Sequence, residues 1–317
     1  MYGQVKRDEA YVCRLKEFIS QAYGVAVKSI APATRGFYGK TWEIESARSR
    51  YFVKLDYSNP HKLMYRDSFQ VLERLSLCGI DCVSKVVKTA KDELFTEYDG
   101  AVVGMFDWID GDNIQNESTK LAEYKILSRV YTVPYDGLSI PKCELDTAAV
   151  DKLQNLTRRV QERQILTVFS ENRGRIEHNA KRLKLFAERC KTISPPLFIT
   201  HGDAGGNIIV GNKGKHYLVD WDDPVIAPPE RDAWFGIHRR WELDAFNADL
   251  QSVGIDYKLN TDVLAFYCYH FWFLYLIYYL ETYLDIGNPD GKVSDDLRAY
   301  FAADFWINDE LEFANKL

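Results

Sequence analysis

The sequence predicts an α+β protein in two parts, a small antiparallel sheet with helices followed by a larger, mainly helical region. Three observations carry this. Runs rich in β-branched and aromatic residues, separated by glycine and polar turns, crowd between residues 30 and 106. Helical periodicity takes over from about residue 117. One strand-like pair, residues 208 to 210 and 217 to 219, interrupts the helical part. With 317 residues, 46% hydrophobic and 27% charged, the chain can bury an ample core in one large or two modest domains.

Taken in order, residues 5 to 23 set Tyr11, Val12, Leu15, Phe18 and Ile19 at helical spacing and end at Gly24, a helix C-cap. Strands are expected from 30 to 55. Within them, residues 34 to 41 carry Gly36 and Gly39 in a turn, 42 to 45 alternate, 46 to 49 reverse the chain, and 51 to 55 form the next strand. Lys54 falls inside that last run, where a charge is costly unless paired. Residues 60 to 77 are helical in pattern and offer Asp67 and Glu73. Runs at 83 to 87, 94 to 97 and 101 to 106 complete a five-stranded antiparallel sheet. Helices then follow at 121 to 131, 150 to 162 and 164 to 190, stopped by Pro195 and Pro196, and at 233 to 245, 259 to 283 and 294 to 317. Residues 263 to 280 hold no formal charge, which is long enough to raise a membrane span. Tyrosines and His270 interrupt that run, so it reads as the buried centre of a helical bundle, with no membrane partner.

The interrupting pair carries the chemistry. Gly211, Asn212, Lys213 and Gly214 separate two short apolar runs and read as the turn of a hairpin. His201, Asp203 and Asn207 precede the first run, and Asp220 and Asp222 close the second. A hairpin brings those ends together, so Asp203, Asn207 and Asp220 converge from two loops. Hard oxygen ligands of this kind suit Mg²⁺, which takes one or two carboxylates and completes its octahedron with water and phosphate oxygens. A further carboxylate beside the ion can hold or deprotonate an attacking hydroxyl, and together these are the parts of a phosphotransferase.

The order His-x-Asp, then Asn, then an Asp thirteen residues later resembles the catalytic and metal loops of the aminoglycoside phosphotransferase and choline kinase family. Residues 219 to 235, from Val219-Asp-Trp-Asp-Asp-Pro to Arg231-Asp-Ala-Trp-Phe, are similar to the spectinomycin phosphotransferase branch. The resemblance implies a two-lobed protein-kinase-like fold, with a nucleotide-binding lobe over 1–107 and a catalytic, substrate-binding lobe over 108–317. It makes Asp203 the catalytic base, Asn207 and Asp220 the metal ligands, and His201 and Asp232 supports. Lys54 becomes the lysine on the α and β phosphates, beneath the Gly36 to Gly39 loop. Asp67 becomes the acid that pairs with Lys54, with Glu73 as the alternative. Backbone groups from Asp107 to Ile109 would hold adenine, with Met105 or Phe106 behind it. Two departures stand out. The Asp203 to Asn207 step is four positions where the family has five, with Gly205 and Gly206 available to close the shorter loop. The helix at 259 to 283 lacks the charges of the spectinomycin branch, so the acceptor is not carried over from it.

Charge narrows the partners. Residues 1 to 110 hold 16 basic and 15 acidic side chains, whereas residues 219 to 317 hold 7 and 19. There is no basic stripe, which argues against nucleic acid as a partner. The acidic excess fits a solvated face or a cationic acceptor, with Glu242, Asp244, Glu281 and Asp285 as candidates to contact it. The amino-terminal residues show no signal-peptide pattern, and six scattered cysteines fit reduced thiols in the cytoplasm. The expected function is transfer of the γ-phosphate of ATP, or GTP, with Mg²⁺, to a hydroxyl of a small, amine-bearing acceptor such as an aminoglycoside or aminocyclitol. A role in antibiotic resistance would follow. The alternatives are a kinase of a neutral sugar, choline-like alcohol or nucleoside, and a nucleotide-binding protein without transferase activity. A protein kinase is disfavoured, because residues 224 to 230 leave little room for a long activation segment.

Overall fold

A computed structural model describes residues 8–33, 39–58, 61–302 and 305–316. The chain forms two compact units, one of Met1–Lys142 with Phe198–Ile226, the other of Cys143–Leu197 with Ala227–Leu317.

The first unit begins with α1 (Glu9–Tyr23), whose first turn is capped by Asp8 accepting from the Tyr11 N–H at 2.7 Å. It ends at Gly24 with φ +64°, the left-handed turn expected of a glycine cap. Strands β1 (Val27–Pro32), β2 (Gly39–Ser46) and β3 (Arg50–Asp56) lead into α2 (Lys62–Leu77), then β4 (Thr96–Tyr98) and β5 (Ala101–Asp107). They form one antiparallel sheet in the order β1-β2-β3-β5-β4. Its core packs Leu15 and Ile19 of α1 against Trp42, Ile44, Val53, Leu55, Val103 and Met105. Alternation along β3 therefore sends Val53 and Leu55 to this core and Lys54 to the other face.

The sheet has the expected number of strands, with one expectation corrected. Residues 83 to 87 do not form a strand; their pairing is limited to isolated bridges, Val83 to Leu218 and Val86 to Phe106. The segment divides its backbone bonds between two partners, Val87 N–H to Met105 and Lys85 carbonyl to Asp107 on one side, Cys82 carbonyl to Leu218 on the other.

β6 (Gly111–Asn113), α3 (Glu117–Val130), β7 (Phe198–Thr200), β8 (Ile208–Gly211), β9 (His216–Leu218) and β10 (Val225–Ala227) follow. β6, β8 and β9 make a three-stranded sheet, and β7 pairs with β10. α3 packs against β7, β8 and β9. The expected hairpin is present: Ile208 pairs with Leu218 and Val210 with His216, and the turn closes through Gly211 N–H to the Lys215 carbonyl at 2.8 Å.

The second unit is helical: α4 (Ala148–Arg159), α5 (Arg163–Glu171), α6 (Arg173–Cys190), α7 (Glu230–Ala233), α8 (Arg240–Ser252), α9 (Thr261–Ile286), α10 (Lys292–Phe301) and α11 (Ile307–Lys316). α9 is its axis, packed by α4, α6, α7, α10 and α11. It is long and apolar enough to cross a membrane, yet 72% of its most apolar stretch is buried within the protein. Three predicted helices are corrected. The 164 to 190 stretch breaks at Asn172, whose side chain bonds back to the Val168 carbonyl at 2.8 Å and ends α5. The helix expected at 233 to 245 starts at Arg240, after Gly236 takes φ +99°. The stretch from 294 is two helices, α10 and α11.

Candidate active site

Lys54 sits in the middle of β3, opposite Thr41 on one side and Gly104 on the other, and is 4% exposed. A buried ammonium needs compensation, and two carboxylates supply it: Asp220 Oδ1 at 2.9 Å, and Asp222 Oδ2 in a close ion pair. Burial works against the Lys54 charge, but the two carboxylates outweigh it and hold its pKa raised. The carboxylates differ from each other. Burial pushes Asp222 up to about 6 despite Lys54, whereas for Asp220 the attraction of Lys54 and His201 outweighs burial and lowers the pKa.

The hairpin places these acids. Val219 N–H donates to the Asn207 carbonyl at 3.0 Å, which fixes the two ends of the hairpin against each other. Beyond β9 the chain turns through Asp220 in the left-handed region, φ +66°, and the Trp221 indole N–H anchors the turn on the Leu218 carbonyl at 3.0 Å. His201 ties the preceding loop to the same place. Its Nε2 donates to the Val219 carbonyl at 2.9 Å and its Nδ1 accepts the Asp203 N–H at 3.2 Å.

The shortened loop closes. Gly206 adopts φ +85°, a conformation that favours glycine, and the Gln115 side-chain amide lies beside it. The Asn113 amide donates to the Gly206 carbonyl at 2.5 Å, and Asn207 N–H bonds to the Ala204 carbonyl at 3.1 Å. Asn207 Nδ2 donates to the Asp203 carbonyl at 2.6 Å, which leaves the amide oxygen as the side-chain atom able to accept or to ligate.

Lys54, Asn207, Asp220 and Asp222 line one cavity of about 340 Å³, bordered by residues 106 to 109. Of the expected adenine-binding segment, Asp107 and Ile109 both reach its wall, and so does Phe106, whereas Met105 faces the core behind the sheet. The Asp107 N–H is already bonded to the Lys85 carbonyl and the Trp108 N–H to the Arg50 carbonyl. Among the described residues the Ile109 N–H has no partner, so it and the Asp107 carbonyl are the groups a purine base can use. Gly39 opens β2 opposite Asp56, and Gly36 lies outside the described residues. Asp203 is exposed and is not part of the cavity wall.

Asp67 does not meet Lys54. The inward stripe of α2 carries Tyr65, Ser68, Phe69 and Leu72, so Asp67 and Glu73 lie off it; Glu73 pairs with Lys88 at 2.7 Å, and Asp67 enters no ion pair among the described residues. The face of α2 at the cavity is Ser68 and Leu72. The acids expected to contact an acceptor are also partly committed elsewhere. Glu242 accepts from the His238 and Arg239 N–H groups at the start of α8, Asp244 pairs with Arg240 at 3.0 Å, and Glu281 with Lys152 at 2.9 Å.

Two features had no sequence signal. Asp222 as a direct partner of Lys54 depends on a turn angle at Asp220. Arg50 lies over the Trp108 ring at 4.4 Å and donates to Asp110 at 2.6 Å, which steadies the 107 to 110 segment through residues about sixty apart in the chain.

Asp220 and Asn207 fit a Mg²⁺ ion. Asp220 keeps 46% of its side-chain surface accessible while Asp222 keeps 13%, so one open carboxylate lines the cavity together with Asn207. That donor set leaves positions for water and phosphate oxygens, as the ion requires. Among the described residues no group of three or more His, Cys, Asp or Glu side chains gathers into a fuller metal cage.

No protein-family model matches the sequence, and no curated protein matches it. Solved structures do. A spectinomycin phosphotransferase, APH(9)-Ia, in complex with ADP and spectinomycin, is 18% identical, with a TM-score of 0.74 over 96% of this chain and 97% of that one. The choline kinase LicA from Streptococcus pneumoniae is 16% identical, with a TM-score of 0.67 over 98% and 100%. The macrolide 2'-phosphotransferase MphH from Brachybacterium faecium is 9% identical, with a TM-score of 0.63 over 90% and 97%. At these identities the likeness is one of fold: the chain has the α+β, protein-kinase-like fold of these phosphotransferases, with an antiparallel sheet in its amino-terminal region and a mainly helical carboxy-terminal region.

Proposed function

We propose that the protein is a small-molecule kinase that transfers the γ-phosphate of ATP, or GTP, to a hydroxyl of a small polar acceptor. The observation that carries this is the convergence of Lys54 with Asn207 and Asp220, both remote from it in sequence, on one cavity beside residues 106 to 109. Lys54 binds the α and β phosphates. The Asp107 carbonyl and Ile109 N–H recognise the base. Asn207 and Asp220 would hold Mg²⁺, which would supply positive charge to offset that of the phosphates. Asp203 orients the acceptor hydroxyl and takes its proton as its oxygen bonds to the γ-phosphorus and the bond from that phosphorus to the β–γ bridging oxygen breaks, releasing the nucleoside diphosphate. The boundary between nucleotide-binding and acceptor-binding lobes falls at residues 107 and 108.

The acceptor bears an amine, an aminoglycoside or aminocyclitol being the favoured class. Its support is the acidic excess of residues 219 to 317, reduced by the pairings of Asp244 and Glu281 and the capping by Glu242. Six unpaired cysteines support a reducing, cytoplasmic setting. Incubation with Mg-ATP and a panel of hydroxylated amines and sugars, read as ADP release, tests the reading. Turnover with amines and not with their N-acetylated forms is expected; phosphorylation of neutral sugars alone would refute the amine.

A second reading, nucleotide binding without transfer, has one observation in its favour: Asp203 is exposed and outside the cavity wall. Saturating Mg-ATP at about 100 times Kd should add roughly 2.7 kcal/mol of apparent stability under either reading. Stabilisation without turnover on any acceptor would select the second.

A further inference from the structure

We propose that Asp222 is the positioning residue that holds Lys54 on the nucleotide phosphates, taking over a task for which α2 supplies no acid. The inference rests on the kinase reading and adds a residue to it. Three observations lead there. The stripe of α2 that faces inward is Tyr65, Ser68, Phe69 and Leu72, and its two nearby acids are turned away, Glu73 onto Lys88. Gly104, the neighbour of Lys54 on β5, fixes that arrangement: a Cβ there would lie 2.3 Å from the Phe69 ring and 2.6 Å from the Tyr65 hydroxyl, so the aromatic residues occupy the space beside the lysine. The Lys54 ammonium sits 5.5 Å from the centre of the Tyr65 ring.

The two acids that do reach Lys54 are unequal. Asp220 is nearly half open to the cavity and is the metal ligand of the proposed function, so a bound ion would compete with the lysine for its oxygens. Asp222 is 13% accessible and faces Lys54 directly. Once Asp220 turns to the ion, Asp222 is the carboxylate that keeps a 4% exposed ammonium compensated and aimed. Without it, Lys54 would stay on Asp220 and compete with the metal for the same oxygens.

Calorimetric titration of Mg-ATP and of adenosine against the full chain tests this. The wild type should bind Mg-ATP; if it binds no nucleoside triphosphate, the kinase reading falls and this inference with it. Asp222→Asn should weaken Mg-ATP about tenfold, the scale of one charge-assisted contact, while adenosine, which has no phosphate for Lys54, keeps its affinity within about twofold. Unchanged Mg-ATP affinity overturns the proposal and leaves the kinase reading intact. An equal loss for adenosine also overturns it, since that would be general damage to the cavity. Should Asp222→Asn fail to fold because it strands a buried ammonium, Lys54→Met is compared with Lys54→Met/Asp222→Asn. The two should bind Mg-ATP alike, because Asp222 acts through the lysine; a further tenfold loss in the double variant would overturn the assignment.

Discussion

Asp220, the proposed metal ligand, adopts a backbone conformation that few side chains accept. At φ +66° an Asp or Asn is tolerated because its short polar side chain can bond locally, whereas Ala carries a penalty of roughly 1 kcal/mol. Asp220→Asn and Asp220→Ala should both lose metal-dependent ATP binding, and the Ala variant should in addition melt a few degrees lower. Equal melting temperatures would mean that the turn carries no strain. Asp203 calls for the opposite separation, because it is assigned to the acceptor and not to the nucleotide. Asp203→Ala should keep the stabilisation by Mg-ATP and lose transfer by two to four orders of magnitude, the usual worth of a general base. Near-native rates would move the base elsewhere. That Lys54, Asn207 and Asp220 would share one cavity was legible in the sequence, because each sits at a fixed place on a strand or turn whose pattern is local. The partner of Lys54 was not, because it depends on which face of α2 docks, and the docking is decided by Gly104 accepting Tyr65 and Phe69.

At the scale of elements, that docking is open to a direct test. Gly104→Ala puts a methyl group 2.3 Å from Phe69 Cζ, closer than any real contact, so either the ring or α2 must move. Overpacking of this kind costs roughly 1–3 kcal/mol. The expected result is a lower urea midpoint at an unchanged m-value, together with weaker Mg-ATP binding; a midpoint equal to wild type would show that α2 is not held tightly against β5. The sheet, α1 and the hairpin followed from alternation, a capping glycine and turn residues, all of them short-range signals. Helix breaks did not. Apolar periodicity runs straight through Asn172, and what ends α5 there is a side-chain bond to Val168, which competes with the helix without disturbing its pattern. Residues 83 to 87 carry strand-forming residues, yet their backbone serves two partners, and a pattern in one segment cannot report a division between two others.

At the scale of the whole molecule, the acidic excess was plain in the sequence, but its use was not, since Glu242, Asp244 and Glu281 are engaged by neighbours that only folding supplies. Stability against pH is set by buried groups in the same region. His270 on α9 stacks on Phe266 at 5.3 Å, and its Nδ1 is buried without a hydrogen-bond partner among the described residues. Burial first, and then nearby Arg231, push its pKa down to about 4. Between pH 6.5 and 4 the unfolded chain therefore takes up a proton that the folded chain refuses, and stability falls as pH falls through that window. Glu230 acts in the opposite sense. It accepts from the Tyr257 hydroxyl at 2.7 Å and the Asn260 N–H at 2.6 Å, yet burial outweighs both and raises its carboxyl to about 7. Between pH 4.5 and 7 the folded chain keeps a proton that the unfolded chain has lost, so this group's contribution falls as pH rises. Where the windows overlap, from 4.5 to 6.5, the two slopes oppose each other at up to about 1.4 kcal/mol per pH unit each. Wild-type stability should be nearly flat there with respect to these two groups, and single variants should expose the slopes. In urea unfolding at pH 5 and 6.5, His270→Phe should gain on the wild type toward pH 5, by at most about 2 kcal/mol. Glu230→Gln should gain toward pH 6.5 by a similar amount, and profiles parallel to the wild type in both variants would show that neither group changes its protonation on folding.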